Sequence, residues 1–315
     1  MKNELTNEIR EIFAKQKDRY LAHKMCKPIL EKMANSIDVL QDIIKENLSS
    51  PDFLLKRRHY STLSMNIFES PEFSFVMNIF PPLPDRNTEV SFQSIHHHGS
   101  LLLSTVSAFG PGYESIVFKQ NFEIDFKTGI TNMEVEKVYQ NEFGKVEFID
   151  SNQPHVVFYP KDFSATYALW CDNKSSKKEA LKKLDVFKSI KKPLSKLINK
   201  TGLGKFLGLN DVQYFDFYVE EEKIMALKNR VTYNDVADND NFLQNIFCFI
   251  QKTKFSDVPF LTQLMNNKKT PENSLKFIKM LLNDEPISDN FYNGHLNIKY
   301  VNLNKNEIEK SSKTL

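Results

Sequence analysis

Four of the seven histidines of this 315-residue chain fall in one stretch, as the run His96-His97-His98 and the separate His155. A strand sends successive side chains to opposite faces, so His96 and His98 share a face while His97 points away. Two imidazoles spaced in this way can hold one metal ion. A third from a distant strand completes a facial set with positions left for ligands, and His155, after Pro154, is the candidate third ligand. A register with His97 turned inward is the alternative. Three neutral imidazoles leave the charge of a divalent cation uncompensated, so the site favours a small anionic substrate, bound through a thiolate, carboxylate or enolate. Fe(II) in such a site can take substrate and dioxygen together, which predicts an oxygenase or oxidase. Zinc with the same ligands activates water instead, and Mn and Ni are further alternatives. Tyr113, Tyr159 and Tyr167 are the candidate catalytic phenols, with Gln93 and Ser100 as neighbours of the HxH strand.

The residues around the histidines read as strands. Phe73 to Phe80, Glu89 to His98, Leu101 to Phe109, Ser115 to Phe126, Thr131 to Tyr139, Lys145 to Ile149, His155 to Tyr159 and Ser164 to Trp170 are rich in Phe, Val, Ile and Ser/Thr. Pro, Gly and Asn turns separate them. Short strands at this spacing predict a sandwich or barrel.

The stretches SIHHHGSLLLSTVSAFGPG and SNQPHVVFYPKDFSATYALW resemble the two motifs of the cupin superfamily, an HxH on one strand and a later histidine after a Pro-containing turn. The resemblance covers about 100 of the 315 residues. It implies an α+β fold with a central cupin-like double-stranded β-helix barrel, flanked here by amino- and carboxyl-terminal helical regions. Many cupins carry a glutamate four or five residues after HxH. Those positions are Leu102 and Leu103 in this chain, which leaves a three-histidine site similar to that of the thiol dioxygenases. Glu114 in GPGYES is an alternative carboxylate.

Residues 1–68 read as a helical region, with apolar spacing from Asn7 to Asn47 and a break near Lys27-Pro28. Residues 69–173 form the barrel, and 174–315 a mainly helical region with a strand pair around Val212 to Val219 and Lys223 to Leu227. Helical spacing recurs at Phe242, Ile246, Phe249 and Ile250, and at Leu275, Ile278, Leu281 and Leu282. Pro271 is expected at the first position of that last helix after a Thr270 cap. Trp170 is expected to pack at one end of the barrel.

Composition excludes several classes. The 42 basic and 40 acidic residues nearly cancel, which argues against a general nucleic-acid binder. Residues 174 to 200 hold ten lysines and two acids and read as a basic amphipathic helix, explained by a solvated face without a partner. Gly202 and Gly204 lack phosphate-loop spacing and mark a turn, and His295 follows the turn signal Asn293-Gly294. Three separated cysteines without a CxxC pair suit a reducing, cytoplasmic setting. No apolar run approaches the about 18 residues that span a bilayer, so no membrane is expected as a partner. Association into a homo-oligomer is left open.

Overall fold

The computed structural model describes residues 1–55, 63–173, 215–231, 239–290 and 298–312. The basic stretch 174–200, the turn at Gly202 and Gly204, and His295 lie outside the described residues.

Three helices open the chain: α1 (Lys2–Lys15), α2 (Arg19–Ala34) and α3 (Ile37–Leu48), followed by the short α4 (Pro51–Leu55). Asp18 caps α2 by accepting from the backbone N–H groups of Tyr20 and Leu21, and Ser36 caps α3 through Val39 N–H. The break expected near Lys27-Pro28 is displaced: α2 runs through Pro28, and the chain turns instead at Gln16 to Asp18 and at Asn35. Ala22, Cys26, Ile29, Leu30 and Met33 are buried on one face of α2, and that packing offsets the hydrogen bond which a proline removes.

Thirteen strands follow among the described residues. They are β1 (Leu63–Glu69), β2 (Ser74–Phe80), β3 (Ile95–His96), β4 (Leu101–Phe109), β5 (Glu114–Phe118), β6 (Glu123–Ile124), β7 (Ile130–Asn132), β8 (Val135–Gln140), β9 (Val146–Ile149), β10 (His155–Val157), β11 (Ser164–Asp172), β12 (Asp216–Glu220) and β13 (Lys223–Leu227). They pair in two antiparallel sheets, ordered β1-β2-β11-β4-β9 and β6-β7-β13-β12-β3-β10-β5-β8. Within these, β2-β11-β4-β9 faces β3-β10-β5-β8. The chain alternates between the two sheets, so the first strand of the roll lies beside the last. That interleaving is the double-stranded β-helix expected from the sequence. β1 begins ahead of the expected boundary at 68, and β12 and β13, from beyond 173, extend the second sheet.

Alternation along each strand separates two environments. Ala165, Tyr167, Leu169 and Cys171 of β11 face the helices, in one core with Leu30, Met33, Ile43 and Ile44. Ala168 and Trp170 face the interior with Leu103 and Val117. Among the described residues the helical additions after the sheets are α5 (Asn239–Lys252), α6 (Val258–Met265), α7 (Glu272–Leu282) and α8 (Lys305–Ser311). Phe249 of α5 sets its ring against Phe109 and Phe163, so the carboxyl-terminal helices share the core of the amino-terminal ones. Pro271 stands at the cap position of α7, because the Thr270 hydroxyl donates to the Leu264 carbonyl and closes α6 instead of capping α7. Ile308 of α8 covers the outer face of the second sheet with Ile95, Ile116, Val156 and Phe217.

Candidate metal centre

Residues directly opposed across an antiparallel ladder present their side chains on the same face. In the second sheet His155 opposes Val117 on one side and His96 on the other, and His96 in turn opposes Asp216. One continuous row therefore crosses β5, β10, β3 and β12. His98, two residues beyond His96, joins the same side. The ring centroids of His96, His98 and His155 are 4.8, 4.5 and 4.9 Å apart, a near-equilateral triangle. One ligand nitrogen from each lies within 4.8 Å of the others.

The backbone fixes which nitrogens face inward. His96 Nδ1–H donates to the Ser94 carbonyl at 2.9 Å, and His155 Nδ1–H donates to the Gln153 carbonyl at 3.1 Å. Each ring thus keeps its proton on Nδ1 and presents the Nε2 lone pair, the arrangement a metal needs. His98 Nε2 and His155 Nε2 are 3.2 Å apart. Two nitrogens bound at about 2.1 Å to one ion stand about 3.0 Å apart at a right angle and about 3.4 Å apart at the tetrahedral angle, so this spacing fits a shared cation.

Electrostatics keep the three rings neutral. Burial pushes His155 down to about 3, aided by the field of His96. Burial also holds His98 well below the usual imidazole range, with His96 and His155 adding to it. His96 is lowered by burial, against the opposing pull of its bond to Ser94 and of the Asp216 carboxylate. Neutral imidazoles are the form that ligates.

The remaining expected residues divide. His97 points to the outer face of the second sheet, where its ring meets Phe215 at 5.1 Å and Gly99 N–H donates to its Nδ1 at 3.0 Å. That register leaves no place for an inward His97. Glu114 pairs with Lys305 of α8, away from the triad. Tyr113 and Tyr159 are buried in an aromatic cluster with Phe80 and Phe92. Tyr159 is four residues beyond His155, past the end of β10, and Tyr113 four before Val117, ahead of the start of β5. Burial raises Tyr113 to about 12. Tyr167 corrects the expectation most sharply, since it faces the helices on the far side of β11 and burial raises its phenol. Its odd position on that strand decides this. Ser100 donates to Asp172 rather than to the triad.

Other side chains surround the triad: Trp170, expected from the sequence only to pack at one end of the barrel, and Tyr139 and Arg230, which sequence reasoning missed. Trp170 meets the His98 ring edge-on at 4.5 Å and 84°, so it walls the centre. Tyr139, like Trp170, packs against the cluster of Leu103, Val117, Ile149 and Ala168. Arg230, its guanidinium 4.1 Å over the Phe215 ring, adds a positive field at His96 and His98. The even positions of β11 hinted at Trp170, while nothing near Arg230 in the sequence ties it to the histidines.

Neither a family model nor a curated protein matches the chain. Among solved structures it is similar to a protein from Thermus thermophilus, at 13% identity over 37% of this chain and 90% of that one, with a TM-score of 0.24. It is similar as well to the cupin domain of Cnp3 from Schizosaccharomyces pombe, at 9% identity over 38% of this chain and 66% of that one, TM-score 0.25. A Klebsiella pneumoniae protein with a double-stranded β-helix domain gives 11% identity, 40% and 90% coverage and a TM-score of 0.24. By the order and pairing of its own strands, this chain is an α+β protein whose centre is a cupin-like double-stranded β-helix, flanked by helices on both sides.

Proposed function

We propose that the protein is a metal-dependent enzyme, an Fe(II) oxygenase or oxidase acting on a small anionic substrate at His96, His98 and His155. The observation that carries this reading is the convergence of three neutral imidazoles whose ligand atoms gather, among the described residues, without a carboxylate in the group. A divalent ion held so keeps its full positive charge and draws an anionic group to its open positions. Arg230 adds to that attraction through its positive field at His96 and His98. When bound, Fe(II) supplies one-electron chemistry with dioxygen. The chain itself contributes the fixed Nδ1 donors to Ser94 and Gln153, and the indole of Trp170 limits water beside His98.

The test is anaerobic titration with Fe(II), followed by oxygen uptake in the presence of small thiols, carboxylates and enolisable acids. About one equivalent of iron per chain is expected, lost in His96→Ala and in His155→Ala. Equal metal content in all three proteins would sink the site. Turnover that proceeds at full rate under nitrogen points to zinc-type hydrolysis or isomerisation, and binding without any turnover to a ligand-binding regulator.

A further inference from the structure

The position where cupins carry their glutamate is leucine here, yet a carboxylate stands beside the triad from a different part of the chain. Asp216 opens β12, and it directly opposes His96 of β3, so both side chains leave the same face of the sheet. It is buried, with 8% of its surface exposed. A carboxylate withdrawn this far from water needs partners, and among the described residues Asp216 has two: Ser94 Oγ–H donates to it at 2.6 Å, and Val231 N–H at 3.2 Å. Those bonds use about half of the acceptor capacity of an ionised carboxylate.

Ser94 is the link. Its hydroxyl binds Asp216 while its own carbonyl receives the Nδ1–H of His96. The chain of contacts therefore runs from Asp216 through one residue to the ring that presents its Nε2 to the centre. Outer partners of this kind set the tautomer and orientation of a ligand imidazole. The attraction of the Asp216 charge at His96 agrees with this geometry.

We infer that Asp216 is the positioning carboxylate of the metal centre, holding His96 in its ligating orientation through Ser94 and offsetting part of the charge of the bound cation. This inference rests on the metal-centre reading above. Asp216 comes from a hairpin more than a hundred residues downstream of the HxH strand, whose β12 pairs directly with β3. Asp216 is a positioning residue: its partners are Ser94 and Val231, and it acts on the ion through His96.

The experiment is titration of the full chain with Co(II) alone, read by visible absorption and by competition with a chelator. The variants are Asp216→Asn, Asp216→Glu, Ser94→Ala and His96→Ala, each checked for folding by circular dichroism. Asp216→Asn is expected to weaken Co(II) binding by about tenfold or more and to alter the absorption bands, with partial recovery in Asp216→Glu. Ser94→Ala should weaken binding in the same direction. Unchanged affinity and spectrum in folded Asp216→Asn overturn the inference while leaving the centre intact. If Asp216→Asn does not fold, Ser94→Ala decides, and wild-type affinity there overturns it. Wild-type binding by His96→Ala removes the metal-centre reading itself.

Discussion

His23 is held neutral outside the histidine triad, and the consequence is measurable. It sits between α2 and the first sheet, sharing a hydrogen bond with Ser104 Oγ at 2.7 Å and with Cys171 Sγ at 3.2 Å. Burial, aided by Arg19, lowers it from 6.5 to about 4. The folded protein therefore resists a proton that the unfolded chain accepts. Stability from this group is fully present above pH 6.5 and is lost as pH falls through the interval down to about 4, on the order of 3 kcal/mol. Denaturant titration of metal-free protein at pH 7 and pH 4.5 should show His23→Gln losing less stability between the two than the parent. Equal losses would contradict the assignment. At this scale the sequence was readable where type and spacing suffice. His96 and His98 were placed on one face by period-two geometry, and His155, read as the candidate third from a distant strand, gathers with them. Asp216 and Trp170 did not, since their neighbours are set by register between strands far apart in sequence. The phenol of Tyr167 was misplaced for a related reason: on a strand buried on both faces, hydrophobicity does not say which face is inside.

At the level of elements, the turn Gly110-Pro111-Gly112 carries the chain from β4 in one sheet to β5 in the other. Both glycines have positive φ, and a Cβ on Gly112 would stand 1.9 Å from the Asn141 carbonyl oxygen. No side chain fits there. Gly112→Ala should cost at least about 2 kcal/mol, combining left-handed strain with displacement of a backbone segment. A melting temperature within about 1 °C of the parent would show that the turn relaxes freely. The bounds of β4 matched those read from the sequence because Leu101 to Phe109 is long and continuous. β1 was hidden, since Leu and Met are as common in helices as in strands, and only pairing with β2 decides Leu63 to Glu69. Pro28 misled in the opposite direction, where burial of one helix face outweighed a local signal.

On the scale of the whole molecule, helices from both ends of the chain converge on one face of the first sheet. Phe249 is fully buried there between Phe109 and Phe163. Phe249→Ala should cost about 3 to 5 kcal/mol, a drop in melting temperature on the order of 10 °C. A loss under about 1 kcal/mol in thermal denaturation would show the packing to be dispensable. The composition foretold a sizeable core, but nothing in the periodicity of Phe242 to Ile250 says which sheet face receives it.

β3 has only two residues, Ile95 and His96, and it lies between β10 and β12. During synthesis its first neighbour emerges some sixty residues later and its second some hundred and twenty later. Until both have arrived, the peptide groups on either side of His96 bond to water and its ring has no fixed direction. A nascent chain that has reached only β11 therefore holds every histidine of the triad but leaves one flank of their shortest strand bare.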